Sequence, residues 1–398
     1  MHDISTDRRS EFETWLRKVT VLPTAAGHEG RVVAWIDRWL EGRDGVSKRV
    51  DPHGNIELSI GNATDAPVYF TAHMDHPAFV VERVVAPTVL ELAFRGGVMD
   101  AYFEDAKVVV HLDDGATVGG AITGRGDLSE PFKSWMCELD SEADVPAGAV
   151  ATWAFPEPSV ERMDGGVGET DVFFTNACDD LAALVAALCA LDELRLSGCT
   201  HDVRLLLTRA EEIGFIGAIG ASRDGFMPKD ARIVALETSR SFPHDSPIGG
   251  GPIVRVGDRV SVFSPTLTGA VAKVAERLAG KSAHPLAIEK DAKLAWRWQR
   301  KLMPGGACEA SVFCSYGYES TCVCLPLGNY HNMADLTAVQ AGTNETPPKV
   351  GREHIALSDF HGMVDLLIGC GEDLPADGGF RDRVEKLWTE RKFAVAPR

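Results

Sequence analysis

Short apolar runs alternate with helical patterns along most of the chain, and this alternation constrains the fold more than any other feature. Brief apolar runs bounded by polar residues are typical of strands buried on both faces of a sheet. Strands that alternate with helices predict an α/β fold, with a mainly parallel mixed sheet sandwiched by helices. The predicted strands are Asn55–Ile60, Val68–Ala72, Asp171–Thr175, Val203–Thr208, Ile233–Leu236 and Thr321–Leu327. The predicted helices are Ser10–Leu40 in large part, Asp180–Leu194, Gly217–Ser222 as a helix or loop, Gly269–Leu278, Lys290–Leu302 and Leu357–Ile368.

The stretch from Val81 to Pro158 breaks this rhythm, because it contains short alternating or β-branched runs separated by glycines. Asp114-Gly115 lies between two of these runs and predicts a hairpin turn. A chain of 398 residues is long enough for two domains. We therefore expect a small all-β domain at residues 81–158, inserted into an α/β domain formed by residues 1–80 and 159–398. The runs within it are Val89–Phe94, Val108–Leu112, Ala116–Thr123 and Val150–Ala154.

The formal net charge of −18 argues against nucleic-acid or membrane partners, because their phosphates repel an acidic surface. The stretch Lys290–Lys301 is basic, but its spacing is typical of a solvated helix face. The first residues lack the apolar core of a secretory signal. The longest apolar run, Leu181–Leu191, is too short to span a bilayer and predicts an amphipathic helix. Nine cysteines without a C-x-x-C pair are typical of reduced thiols, so we expect a cytoplasmic protein.

Acidic residues and histidines lie where the predicted strands end. They are His73 and Asp75 after Val68–Ala72, Asp179 after Asp171–Thr175, Glu211 and Glu212 after Val203–Thr208, Glu237 after Ile233–Leu236, and His331 after Thr321–Leu327. In open α/β sheets, ligands bind at the carboxyl ends of the strands. Several carboxylates at one edge repel one another unless cations neutralise them. Each feature alone is common in proteins without a metal, but together they predict a site for two divalent ions.

These residues resemble the dinuclear-metal aminopeptidases of the glutamyl and deblocking type, which include the tetrahedral aminopeptidases and the endoglucanase-M-like proteins. The resemblance covers nearly the whole chain. It implies the zinc exopeptidase fold, in which the residues between His73 and Asp179 contain an inserted β-domain. The motifs that carry it are Ala72-His73-Met74-Asp75, Ala177-Cys178-Asp179-Asp180, Glu211-Glu212-Ile213-Gly214, Ala235-Leu236-Glu237 and His331, with weaker matches at Ala26-Gly27-His28-Glu29, Asp51-Pro52-His53-Gly54-Asn55 and Gly305-Gly306.

The resemblance also implies a role for each residue. Glu211 is the expected general base, Asp75 is expected to hydrogen-bond the His73 ring, and the Asp179–Asp180 peptide is expected to be cis. The ions are expected to be Zn²⁺, for which Co²⁺ or Mn²⁺ could substitute. The implied metal ligands are Asp179, shared by both ions, His73 and Glu237 on one ion, and Glu212 and His331 on the other.

The activity implied in this way is hydrolysis of N-terminal residues from short peptides by a metal-activated water, in a homo-oligomer. Three departures from the family pattern leave the substrate open: His76-Pro77-Ala78 follows Asp75, Glu237 replaces the usual aspartate, and Cys308-Glu309 occurs in the last motif. An alternative is an N-acyl amino-acid deacylase or a carboxypeptidase-like amidohydrolase with the same dinuclear site. A further alternative is a non-catalytic metal-binding scaffold. The roles of His76 and Glu309 stay open at this point.

Overall fold

The structure, a computed structural model, describes residues 4–61, 66–165, 167–280 and 296–395. Its helices are α1 (Thr6–Val19), α2 (Gly30–Leu40), α3 (Leu181–Leu196), α4 (Ile216–Arg223), α5 (Pro265–Ala279), α6 (Glu309–Ser315), α7 (Leu336–Ala341), α8 (Leu357–Glu372) and α9 (Phe380–Arg391). Its strands are β1 (Ser47–Val50), β2 (Ile56–Ile60), β3 (Val68–His73), β4 (Ala78–Ala86), β5 (Val89–Arg95), β6 (Lys107–His111), β7 (Thr117–Arg125), β8 (Ser134–Leu139), β9 (Val150–Trp153), β10 (Ser159–Asp164), β11 (Glu169–Thr175), β12 (Val203–Thr208), β13 (Arg232–Arg240), β14 (Ile253–Gly257), β15 (Gln299–Leu302), β16 (Glu319–Leu327) and β17 (Glu353–Ala356).

Eight strands form a mixed sheet in the order β1-β2-β12-β3-β13-β16-β14-β15. Its centre is parallel, because β12 pairs with β3, β3 with β13, and β13 with β16 in the same direction. The pairs β1–β2, β2–β12 and β14–β16 are antiparallel. The mixed α/β fold predicted from the apolar runs is therefore confirmed, and the central strands bring their carboxyl ends to one edge.

Helix α3 differs from its prediction as an amphipathic helix, because it is buried on all sides. Every residue from Leu181 to Leu194 is buried, and the helix packs between strands β3 and β12 and helices α1 and α8. Its two buried acids pair with Arg8, which lies 2.8 Å from Asp192 and 2.8 Å from Glu193. A helix that is apolar all round belongs to the core. Because α3 starts directly after Asp180, it gives a rigid support to the segment that contains Asp179.

Strands β4 to β9 close into a barrel in the order β4-β5-β8-β7-β6-β9. Its core is a cluster of aromatic rings that includes Phe103 stacked on Trp135, with centroids 4.0 Å apart. The hairpin predicted at Asp114-Gly115 is confirmed, because β6 and β7 on either side of it pair antiparallel. Strand β4 begins at Ala78, three residues before the range expected for this unit, and β8 was not predicted.

Several local predictions were wrong. Strand β11 does not join the main sheet but pairs with β10 and β17 in a separate three-stranded sheet. A helix was predicted at Lys290–Leu302, but its last residues, Gln299–Leu302, form strand β15 and pair with β14. Residues 290–295 of that predicted helix lie outside the described residues. The helical region Ser10–Leu40 is divided into α1 and α2, and α9 follows the helix expected to be the last. In the part of the chain that the structure describes, none of the helices has the length and apolarity needed to cross a membrane.

Candidate metal centre

The structure brings every predicted ligand side chain to one place. Donor atoms of His73, Asp179 and Glu237 lie within 4.8 Å of one another, and so do those of Asp179, Glu212 and His331. Asp179 belongs to both groups, as the resemblance implied for a bridging ligand. Glu211 forms a further group with His73 and Glu212.

The elements explain this convergence. His73 is the last residue of β3, Glu237 lies within β13, and both strands belong to the parallel centre of the sheet. Glu237 therefore lies inside its strand rather than after it as predicted, because β13 is longer than its apolar run. Asp179 lies between β11 and α3, and His331 lies in a short 3-10 turn after β16. The Asp179–Asp180 peptide is cis, which confirms that prediction.

The distances between these side chains fit two metal ions. Nε2 of His73 lies 3.3 Å from Oδ1 of Asp179, and Nε2 of His331 lies 3.5 Å from its Oδ2 and 3.4 Å from Oε2 of Glu212. Oε1 of Glu237 lies 3.9 Å from Nε2 of His73. In a tetrahedral site with metal–ligand bonds of about 2.0 Å, neighbouring donor atoms lie about 3.3 Å apart.

The charges of the site also fit cations. Oδ1 of Asp179 and Oε1 of Glu212 are buried without a hydrogen-bond partner in the described structure, which is costly for carboxylates unless a cation lies beside them. Burial raises the pKa of the Glu211, Glu212 and Glu237 carboxyls, and neighbouring acids add to the effect. Burial also acts on Asp179, but the imidazoles of His331 and His73 close to its carboxylate keep its pKa well below the usual range. The donor set of imidazoles and carboxylates is one that zinc prefers.

Asp75 does not make the contact that was predicted for it. Its carboxylate Oδ1 lies 3.6 Å from Nδ1 of His73, too far for a hydrogen bond, and the ring instead faces the Asp75 backbone carbonyl at 2.9 Å. The two carboxylate oxygens are occupied elsewhere: they accept the backbone N–H groups of Glu211 and Glu212, each at 3.0 Å. Asp75 therefore holds the turn that carries both glutamates.

Glu353 is a site residue that the sequence analysis missed. Its carboxylate is buried and accepts the backbone N–H groups of Cys178 at 2.7 Å, Asp179 at 2.9 Å and His331 at 2.9 Å. It joins the segments of Asp179 and His331, two predicted ligands that are far apart in the chain. No local pattern marks Glu353, because its partners become neighbours only in the fold.

His76 is neither on the surface nor in any of the candidate metal groups among the described residues. Its Nδ1 faces the carbonyl oxygen of Asp179 at 2.5 Å, and its Nε2 faces Oδ1 of Asn332 at 3.0 Å. Glu309, the first residue of α6, is buried, and burial raises the pKa of its carboxyl to about 7.

A cavity of about 760 Å³ opens onto these side chains. One wall is the acidic cluster, and another carries three cations that were not predicted as site residues: Arg240, Arg255 and Lys301. Lys301 was expected on a solvated helix face, but its side chain is 9% exposed and pairs with Asp245 at 2.9 Å. The cavity therefore combines an acidic end with a basic one.

The two arginines donate hydrogen bonds to side chains other than carboxylates. Arg240 donates to Oε1 of Gln340 at 2.7 Å and to Oγ1 of Thr337 at 2.6 Å, both on α7. Arg255 is 2% exposed and donates to the thiol sulfurs of Cys324 and Cys322 at 3.5 and 3.8 Å. The two thiols lie on the same face of β16 with their sulfurs 3.4 Å apart, because alternate residues of a strand point to the same side.

Comparison with known proteins supports this description. Residues 151–344 match the family model described as M42 glutamyl aminopeptidase, a range that contains Asp179, Glu211, Glu212, Glu237 and His331. No curated protein matches the sequence.

Solved structures share the fold at low sequence identity. Aminopeptidase APDkam598 from the archaeon Desulfurococcus kamchatkensis has a TM-score of 0.70 and 19% identity, with 92% of this chain and 96% of that chain covered. The TET aminopeptidase of a marine-sediment Thaumarchaeota archaeon has a TM-score of 0.70 and 18% identity, with 92% and 97% covered. The TET1 peptidase of Pyrococcus horikoshii, which can assemble into a tetrahedron or a large octahedral shell, has a TM-score of 0.69 and 20% identity, with 91% and 100% covered.

The resemblance inferred from the motifs is thereby confirmed, and the chain is a metallo-aminopeptidase hydrolase that is similar to the M42 glutamyl aminopeptidases over residues 151–344.

Proposed function

We propose that the chain removes N-terminal residues from short peptides at a dinuclear metal centre, with Glu211 as the general base. The observation that carries the proposal is the position of Asp179 in two separate groups of ligand atoms, with Glu211 beside both. His73 and Glu237 complete one site in this proposal, and Glu212 and His331 complete the other.

Two Zn²⁺ ions with three carboxylates and two neutral imidazoles would leave a net charge of about +1, which lowers the pKa of a bound water and polarises a carbonyl. The protein supplies the rest. Donation from Nδ1 of His73 to the Asp75 carbonyl leaves its Nε2 free to bind a metal. Burial raises the pKa of Glu211, so its carboxylate can take a proton from water and return it to the leaving amine.

The basic end of the cavity supports a preference for an acidic N-terminal residue. Arg240 donates only to the neutral side chains of Gln340 and Thr337, so a substrate carboxylate would find a charge there that is not already paired. Charge-assisted hydrogen bonds of this kind are the strong ones. The description of the matching family as glutamyl aminopeptidases supports the same substrate class.

The runner-up is a deacylase or carboxypeptidase-like activity at the same site. Glu237 in place of the usual aspartate motivates it, and the same arginine would bind the free carboxylate of an acylated amino acid. The two functions differ in whether the substrate carries a free amine.

A substrate panel separates these functions. We expect hydrolysis of glutamyl and aspartyl p-nitroanilides, slower hydrolysis of the leucyl and lysyl compounds, and none of N-acetylated controls. Hydrolysis of N-acetylated amino acids alone would replace the aminopeptidase proposal by the runner-up. Metal analysis of the same preparation is expected to give two divalent ions per chain.

We also propose that the protein forms a homo-oligomer, as the TET1 peptidase of P. horikoshii does, in the cytoplasm. The barrel of strands β4 to β9 supports a separate domain at residues 81–158, inserted into the domain of residues 1–80 and 159–398. Analytical ultracentrifugation measures the assembly directly, and a sedimentation coefficient equal to that of one chain would reject the oligomer.

A further inference from the structure

Glu29 is a buried glutamate that no step described above uses. It lies directly before α2, it is 0% exposed, and its carboxylate lies outside the three groups of candidate metal ligands. Its bonds lead to the segment before Glu211: Oε1 accepts the backbone N–H of Ala210 at 3.0 Å, and Oε2 accepts Nε–H of Arg209 at 2.7 Å. Oε1 also accepts the N–H of Gly27 at 2.7 Å, which holds the carboxylate in place.

This contact is one of a continuous series. Four consecutive backbone N–H groups, those of residues 209 to 212, each donate at 3.0 Å to a side chain from another part of the chain. Asn55 accepts the first, Glu29 the second, and Asp75 the third and fourth. A segment in which every N–H is held by a buried acceptor has little freedom to move.

The backbone at Ala210 shows why this support is needed. Ala210 has a φ of +53°, in the left-handed region that residues with a Cβ rarely adopt. Such a conformation persists only where the surroundings enforce it. Glu29 accepts the N–H of this residue, so it acts at the strained point directly before the proposed base.

We propose that Glu29 is a positioning residue that fixes the Arg209–Glu212 segment and thereby aims the Glu211 carboxylate at the reacting water. The proposal rests on the proposed function of Glu211. A small displacement of a catalytic group is enough to cost about 10²-fold in rate. Glu29 therefore affects turnover through geometry and makes no contact with substrate.

The test compares two substitutions at Glu29 with a matched control. Glu29→Gln keeps the shape and one acceptor oxygen, and Glu29→Ala removes both. The control is Glu91→Ala in the barrel: Glu91 is also 0% exposed and its carboxylate accepts from Arg83 Nε, from the Ser134 hydroxyl and from the backbone N–H of Asp127.

We expect Glu29→Ala to lower kcat by about 10²-fold and Glu29→Gln by a smaller factor, with KM within about twofold and two metals per chain retained. Glu91→Ala is expected to lower Tm as much as Glu29→Ala does but to leave kcat unchanged. An unchanged kcat in Glu29→Gln and in folded Glu29→Ala, or an equal loss of kcat in the control, would overturn the proposal.

Glu211→Gln, alone and combined with Glu29→Gln, distinguishes this inference from the function on which it rests. If Glu29 acts through Glu211, the residual turnover of Glu211→Gln falls no further in the double variant. A further loss of the same factor means that Glu29 acts on something else and rejects the positioning role. An active Glu211→Gln enzyme rejects the proposed base itself, whatever Glu29 does.

Discussion

At the scale of single residues, the site depends on side chains that each serve two partners. Asp179 offers one oxygen to each ligand group, and its two oxygens lie near different histidines. Asp75 holds two successive N–H groups, and Glu353 joins the segments of Asp179 and His331. A change at such a residue therefore disturbs two contacts at once, whereas a change at His331 disturbs one metal site.

The ligand assignment predicts different metal losses for different substitutions. Asp179→Asn should reduce metal content well below two ions per chain, because it weakens both sites. His331→Ala should leave about one ion, because the group of His73, Asp179 and Glu237 is intact. Elemental analysis after gel filtration measures both. Equal metal content in the two variants would contradict a bridging Asp179.

The basic end of the cavity predicts a change in substrate preference. Arg240→Met removes a charged donor, so kcat/KM for glutamyl p-nitroanilide should fall by tenfold or more, since hydrogen bonds to charged groups contribute about 1.5–3 kcal/mol. The value for the leucyl compound should change little. Arg125→Met, at an arginine of the barrel that pairs with Asp100, is the control. A uniform loss for both substrates in Arg240→Met would argue against recognition of an acidic residue.

At the scale of elements, the sheet and the barrel contribute different things to the site. The parallel strands β3 and β13 and the buried helix α3 place ligands on rigid supports. The barrel contributes the loop residues Gly97 to Met99 to the cavity, and the Gly97 carbonyl lies 2.7 Å from Nδ1 of His331. The barrel thus contacts one of the proposed ligands and supplies none of them itself.

His111 in the barrel is expected to make the stability of the protein depend on pH. Burial, with a smaller effect of Arg31, lowers the pKa of His111 on β6 to about 4 from the usual 6.5. Between these values the unfolded chain binds a proton that the folded chain does not. The free energy of unfolding is therefore unaffected by His111 above pH 6.5 and falls as the pH drops towards 4. Replacement by Gln should reduce the loss of unfolding free energy between pH 7 and 4.5 by about 2–3 kcal/mol. Identical pH dependence in the two proteins, at equal metal content, would contradict this.

At the scale of the whole molecule, the acidic excess and the metal site are linked. Two divalent ions, as proposed, would bring the formal charge from −18 to −14. An ion that binds only the folded chain stabilises it by about 2.7 kcal/mol at a concentration one hundred times its Kd. Chelation should therefore lower Tm in the natural chain and have little effect on Asp179→Asn. An unchanged Tm on chelation would mean that the cluster needs no cation.

Across the whole molecule, some strands and site residues could be predicted from the sequence and others could not. Val68–Ala72 and Val203–Thr208 were recognisable as strands because local apolar patterns decide buried strands, and the residues after them led to the ligands. Glu29, Glu353 and Arg255 carry no such mark, since their contacts join segments that are distant in the chain. Asp75 contacts the His73 ring, but the hydrogen bond goes to its backbone carbonyl rather than to its carboxylate as expected. The sequence does not show this, because the partners of a carboxylate depend on the N–H groups that the fold brings to it.

The most direct test of the proposed mechanism is metal content and turnover in Glu211→Gln. We expect two bound ions per chain, a folded protein with a Tm close to that of the natural chain, and loss of nearly all hydrolysis, because the proposed ligands remain and the proton acceptor is gone. Full activity with both metals bound would contradict Glu211 as the general base.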